Sequence, residues 1–328
     1  MAGPFEHFSG GYFMKSRAWR KEMSRNLSII IAILTCLHIG FFTGKCRAEE
    51  LQYEESRMLV SLVDEAAALI AKKGEAAFKE LSVEGSKWRH GDTYIIVNGL
   101  DGTCFVHPDP ALVGKNQINL TDIDGKPIVK EFIAKVKGNP QKQSGWSHYQ
   151  WVKQGDITPC WKTTYVKLVT APSGKEYIVA SGLYCMKMEK AFVVESVNSA
   201  AVLLEKEGRA AFSTLRDKKS EYNYKDTYVF IIDEKGTLLL DPPFPALEGR
   251  NVYDYKDPSG KYLFREMIDM ANSQGSGWVE YMWPKPDTME YEKKGSFIKK
   301  VKVGNEVLIV GTGMYLEGYR SCTIYSIP

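Results

Sequence analysis

The sequence predicts an α+β protein made of two tandem copies of one domain, each a long N-terminal helix packed on a five-stranded antiparallel sheet. Two observations carry this reading: an internal repeat through most of the chain, and the same order of helical and β-rich patterns inside each copy. The repeat is read pair by pair. Lys73-Gly74 with Ala77-Phe78 recurs as Glu207-Gly208 with Ala211-Phe212, and Asp92-Thr93-Tyr94 as Asp226-Thr227-Tyr228. Gly102-Thr103 matches Gly236-Thr237, and His107-Pro108 matches Asp241-Pro242, all at an offset of 134. The offset becomes 135 at Gly125-Lys126 against Gly260-Lys261, and 132 at Ser144-Gly145-Trp146-x-x-Tyr149-x-Trp151 against Ser276-Gly277-Trp278-x-x-Tyr281-x-Trp283. It ends at 131 for Gly182-x-Tyr184 and Gly313-x-Tyr315. A small drift placed in loops is the signature of a duplicated unit.

Each copy opens with a helix. Leu59, Leu62, Val63, Ala66, Leu69 and Ile70 fall on one face at helical spacing, and Gly74 ends the stripe. Val193, Val197, Ala200, Ala201 and Leu204 repeat it up to Gly208. Five β-rich runs follow, in the first copy Tyr94–Val97, Thr103–Val106, Gly145–Val152, Thr163–Thr170 and Tyr177–Tyr184. A short helical stretch, near residues 128–136 and again near 262–271, interrupts the strands after the second.

Charge and cysteine usage place the chain outside the cytoplasm. Seven of the 43 Lys and Arg and two of the 40 Asp and Glu lie in residues 1–48, which leaves 36 basic against 38 acidic residues in the body. A near-neutral body without a basic stripe argues against a nucleic-acid partner. Lys15, Arg17, Arg20, Lys21 and Arg25 precede an apolar run from Leu27 to Phe42, and Cys46-Arg47-Ala48 then gives way to Glu49-Glu50. That order is a secretory signal with cleavage after Ala48; a retained inner-membrane anchor is the alternative. The expected division is a signal at 1–48, a first domain at 49–185, a second at 186–320 and a tail at 321–328. The body is then periplasmic or secreted.

Cys104, Cys160, Cys185 and Cys322 remain after the signal, and four thiols in an oxidising space allow three full pairings. A hairpin turning at Pro172-Ser173 sets opposite residues to sum to 345, which places Cys160 across from Cys185 and predicts a disulfide between them.

The ordered motif set resembles the extracytoplasmic Cache domain, a PAS-like sensor module. The second copy carries it most fully, in Tyr228–Asp233, Leu247-Glu248-Gly249-Arg250-Asn251, Gly277-Trp278-Val279-Glu280-Tyr281 and Gly311-Thr312-Gly313-Met314-Tyr315. The resemblance spans about residues 55–320. It implies a tandem pair of single Cache domains, a small metabolite such as a short organic acid in each pocket, and signal output. With no output domain after Pro328, output is expected through a membrane receptor or sensor kinase.

The residues themselves nominate the site. Alternation puts Tyr149 and Trp151 on one strand face and Trp146 on the other, with Tyr281, Trp283 and Trp278 as counterparts. Aromatic walls with a few polar tips suit small ligands, although tryptophans also fill cores. The next strand supplies Lys162, Tyr165 and Lys167, and Lys294 and Lys299 in the second copy. A lysine beside a tyrosine hydroxyl can hold a carboxylate, against the ordinary alternative of a surface lysine. Lys130 and Arg265 are weaker candidates. Asp122-x-Asp124-Gly125 imitates a calcium loop but has Leu120 at the first ligand position, so a helix-capping turn is the better reading. No cofactor or metal is implied. His90, His107 and His148 are dispersed, and no nucleophile or phosphate motif accompanies them, so binding is expected rather than catalysis. The rival is a pocketless tandem module that docks on a membrane receptor.

Overall fold

The computed structural model describes residues 50–138, 143–153 and 155–316. The predicted signal, Cys36, Cys46 and Cys322 lie outside them. The first repeat opens with α1 (Glu54–Lys73), a 3-10 turn and α2 (Ala77–Leu81). β1 (Arg89–His90), β2 (Thr93–Gly99) and β3 (Cys104–Val106) follow, then α3 (Ile128–Gly138), β4 (Ser144–Val152), β5 (Pro159–Thr170) and β6 (Glu176–Tyr184). The second repeat runs α4 (Lys190–Glu207), α5 (Ala211–Arg216), β7 (Val229–Asp233), β8 (Leu238–Leu240), α6 (Leu263–Gln274), β9 (Ser276–Pro284), β10 (Tyr291–Val303) and β11 (Glu306–Tyr315). The sheets are antiparallel, in the orders β3-β2-β6-β5-β4 and β8-β7-β11-β10-β9. The first sheet gains β1 on β2, a sixth strand of two residues that is too short to carry an alternation signal.

A glycine ends each long helix. Gly74 and Gly208 both take a left-handed backbone, with φ of 61° and 62°, and return their N–H groups to Ile70 and Leu204. A side chain there is strained, which explains why glycine recurs at this point of both copies.

Each sheet is buried on both faces, and alternation sorts the two cores. In the first repeat Ile95, Val97, Tyr177, Val179 and Val169 meet Val63, Ala66 and Ile70 of α1. Their neighbours Tyr94, Ile96, Ile178, Ala180, Val166 and Tyr149 face Ile128 and Phe132 of α3. The second repeat copies this division. Val229, Ile231, Val301, Leu308 and Val310 pack on α4. Tyr228, Phe230, Ile232, Tyr281, Trp283 and Ile298 pack on α6.

The repeats also share a buried junction. His148 of β4 stacks on Tyr224 at 4.0 Å, and Thr163 of β5 lies 3.0 Å from the Tyr224 hydroxyl. Trp146 lies 4.8 Å from Phe192 of α4. The buried carboxylate of Glu189 accepts the N–H groups of Gln52 and Tyr53 at 2.8 and 3.0 Å.

The Asp122 segment is a turn. Its Oδ1 accepts the N–H groups of Asp124 and Lys126, and its Oδ2 accepts that of Gln150. Asp257 does the same for Ser259, Lys261 and Met282. The predicted Cys160–Cys185 disulfide is not formed in the structure. The β5–β6 turn spans Ala171–Lys175 rather than two residues, so opposite positions sum to 346, as in Lys162 with Tyr184. That one-residue change sets Trp161, not Cys160, beside Cys185, whose own φ of 55° leaves the strand geometry.

Candidate functional site

One face of each sheet and the short helix over it line a small, partly open cavity. The first, of about 20 Å³, is lined among others by Tyr94, Asn98, His107, Phe132, Tyr149 and Trp151. The second, of about 10 Å³, is lined by Tyr228, Phe230, Asp241, Leu263, Phe264, Tyr281 and Trp283. Each has room for about one water molecule, so a ligand of even a few atoms enters by displacing the lining side chains.

At the side of each cavity stands a lysine with no solvent exposure. Strand register explains its placement. Lys162 lies across from Tyr149 on β4 and from Tyr184 on β6; Lys294 lies across from Tyr281 on β9 and from Tyr315 on β11. The stem of each passes over a glycine two residues before that tyrosine. A Cβ on Gly182 would come within 2.8 Å of Lys162 Cε, and one on Gly313 within 2.5 Å of Lys294 Cε. The Gly-x-Tyr motif therefore makes room for two neighbours: the glycine admits the Thr164 or Ser296 hydroxyl and the lysine stem, and the tyrosine ring receives the lysine head. Lys162 Nζ is 4.8 Å from the Tyr184 ring and 3.9 Å from the Tyr94 ring, and donates to Tyr94 Oη at 2.7 Å. Lys294 Nζ is 4.0 Å from the Tyr228 ring and 5.1 Å from the Tyr315 ring, with no hydrogen-bond partner among the described residues.

Burial makes these ammonium groups poor at holding their protons. Loss of water pulls Lys162 down to about 7, although Asp92 favours the charge. The same cause lowers Lys294, against the pull of Asp241. Burial also raises Asp241, which Lys294 opposes. His107 is pushed down to about 4, first by burial and then by Lys162, so its ring is neutral at pH 7. A site of this kind gains most from a ligand that brings a negative charge to the lysine.

Of the nine sequence candidates, four line the cavities, Tyr149 and Trp151 in the first and Tyr281 and Trp283 in the second, while Lys162 and Lys294 stand beside them, outside the lining. The tyrosine hydroxyls are held by Thr164 at 2.9 Å and Ser296 at 2.8 Å, and Trp283 Nε1 donates to Tyr228 Oη at 3.0 Å. Tyr165, Lys167 and Lys299 are not there. Tyr165 lies 4.9 Å from Trp146 on the helix face. Lys167 pairs with Asp64 of α1 at 2.7 Å, and Lys299 donates to Asn198 of α4 at 2.8 Å. The reason is parity: three or five residues from Lys162 or Lys294 along a strand is the opposite face. Lys130 is exposed, and Arg265 pairs with Asp254 at the surface. Residues missed from sequence are Tyr94, Asn98, His107 and Tyr184, with Tyr228, Asp241 and Tyr315. The signal for most of them was present, because Tyr94/Tyr228, His107/Asp241 and Tyr184/Tyr315 are matched pairs of the repeat.

A Cache domain profile matches residues 72–199 and 191–327. The chain is 31% identical over 151 residues to the methyl-accepting chemotaxis protein McpP of Pseudomonas putida, covering 42% of this chain and 27% of that protein. It is 36% identical over 93 residues to the sensor histidine kinase MctS of Rhizobium johnstonii, covering 28% and 20%. The chain thus spans about a quarter or less of these relatives' length. Among solved structures, the periplasmic sensor domain of a chemotaxis protein is 30% identical, with a TM-score of 0.36, over 39% of this chain and 95% of that one.

Proposed function

The chain belongs to the Cache domain family, and on that premise we propose that it is an exported, sensor-type binding protein for short carboxylic acids. In this reading residues 1–48 direct export to the periplasm, domains 49–185 and 186–320 each hold a ligand, and occupancy is passed to a signalling partner. Relatives that are a chemotaxis receptor and a sensor kinase support the signalling half of the proposal. The binding half rests on one observation above all: beside each cavity stands a wholly buried lysine whose head is met by aromatic rings and, among the described residues, forms no ion pair with a carboxylate.

A buried cation without a counter-ion is costly, and a protein of this design recovers that cost when an anion arrives. The carboxylate takes charge-assisted hydrogen bonds from Nζ, while its short carbon chain lies against Tyr149 and Trp151, or Tyr281 and Trp283. Nothing in this arrangement activates a nucleophile or a water, so the reading is binding and not catalysis.

The test is a thermal-shift screen of two- to four-carbon mono- and dicarboxylates. An acid at 100 times its Kd stabilises the domain that holds it by about 2.7 kcal/mol. Lys162→Met and Lys294→Met each remove the shift belonging to one site. If no acid shifts the melt, the docking-module reading replaces this one.

A further inference from the structure

Among the matched positions that line both pockets, one differs in polarity: residue 107 in the first repeat and its match, residue 241, in the second. In the second pocket this is Asp241. It is 3% exposed, and its Oδ1 has no hydrogen-bond partner among the described residues. Lys294 Nζ, near enough to favour the charged form of this carboxyl, also has none. A buried acceptor in the lining and a buried donor behind it therefore do not satisfy each other, and unmet buried polar groups are rare and expensive. A molecule that accepts at one end and donates at the other satisfies both.

The first pocket has the opposite polarity. No Asp or Glu is among the residues that line it. His107 Nδ1 accepts the Asp109 N–H at 3.0 Å, which assigns the ring proton to Nε2 and makes that nitrogen a donor. Asn98, 1% exposed and in the same lining, has an Nδ2 group without a partner among the described residues. With Lys162 beside the pocket, three donors point to this region and no carboxylate lines it.

We propose that residue 107/241 sets which substituent each pocket requires on the second carbon of its acid. The second pocket takes short acids with a hydrogen-bond donor there, a hydroxyl or an ammonium, with the carboxylate on Lys294 and the donor on Asp241. The first takes acids without such a donor, unsubstituted or 2-oxo, whose oxygen atoms accept from Lys162, His107 and Asn98. A donor-bearing acid in the first pocket leaves its hydroxyl or ammonium facing other donors. An acid without one in the second leaves Asp241 unmet. A site built to bond a substrate hydroxyl or amine discriminates strongly against the analogue that lacks it.

The inference rests on the lysine–carboxylate reading above, and the test separates the two. Isothermal titration of the full chain uses four probes of similar size: propionate, pyruvate, L-lactate and L-alanine. Lys162→Met isolates the second pocket and Lys294→Met the first. The expected result is that the second pocket binds lactate or alanine at least tenfold more tightly than propionate and pyruvate, and that the first reverses this order. Lactate and alanine serve as separate arms for the hydroxyl and the ammonium. Asp241→His in the Lys162→Met chain is expected to abolish the preference. Asp241→Asn, which keeps the shape, is expected to weaken alanine at least tenfold and serves if the histidine variant does not fold. Acids that bind through the lysines with the same rank order in both pockets, or a preference that survives both Asp241 changes, overturn the inference and leave the lysine reading intact. Failure of every probe in both lysine variants and the wild type overturns both.

Discussion

Replacing Lys162 by methionine should strengthen the empty protein and abolish binding at its first site. The side chain is wholly buried, and its fall from 10.5 to about 7 is about 5 kcal/mol at about 1.36 kcal/mol per unit, of which about 4 kcal/mol is felt at pH 7, where the folded-state lysine is half neutral. Methionine keeps the length of the stem over Gly182 and carries no charge. It forfeits the bond to Tyr94 Oη, worth about 1–3 kcal/mol for a charged donor. The net expectation is about 1–3 kcal/mol of added stability, which is within the range seen when buried charges become apolar. For a body of this size that is a rise of several degrees in the first domain's Tm. Acid binding at the first site should weaken at least ten- to a hundredfold. Urea and thermal melts at pH 7, followed by titration calorimetry with propionate, measure both effects. A methionine variant that is less stable than wild type and still binds the acid at the first site refutes the reasoning, because Lys162 would then be a structural cation.

Other consequences follow from the same geometry. Between pH 7 and about 10.5 the unfolded chain holds a proton on Lys162 that the folded chain does not, so the stability of the empty protein should rise with pH through this window; saturating propionate keeps the lysine protonated and should remove the rise, as pH-dependent melts will show. Gly182→Ala and Gly313→Ala press a methyl group first on the Thr164 and Ser296 hydroxyls, which hold Tyr149 and Tyr281, and then on the lysine stems, and should each cost about 1–3 kcal/mol and weaken their own site in calorimetric titrations. Lys167→Ala and Lys299→Ala lie on the helix faces and should leave acid affinity within about twofold; loss of the partly exposed Lys167–Asp64 pair should cost less than about 1 kcal/mol in urea melts. Tyr224→Ala removes the ring stacked on His148 and the neighbour of Thr163, and should make the two repeats melt as separate transitions in calorimetry.

Most of the fold was legible because both period-2 and helical patterns repeat. The apolar stripe of α1 ends at Gly74, and the structure ends the helix one residue earlier, at Lys73. The Trp146 and Tyr149/Trp151 split between faces also follows from alternation alone. The site was half legible. Lys162 and Lys294 look like surface residues in composition, and only strand register shows them under Tyr184 and Tyr315. Grouping Lys167 and Lys299 with them ignored the odd spacing that sends these side chains to α1 and α4. His107 and Asp241 follow the short strands β3 and β8, where no alternation continues, so the sequence shows their correspondence but not that they face a cavity. The disulfide failed on turn length, which Pro172-Ser173-Gly174 does not fix: a two-residue and a five-residue turn differ by one step of register.

The most direct test is a crystal structure of the chain with propionate and, separately, with L-lactate. The expected result is carboxylate oxygen atoms about 2.7–2.9 Å from Lys162 Nζ or Lys294 Nζ, with the carbon chain against Tyr149 and Trp151 or Tyr281 and Trp283. An acid held on the helix face by Lys167 or Lys299, with both cavities unchanged, would contradict it.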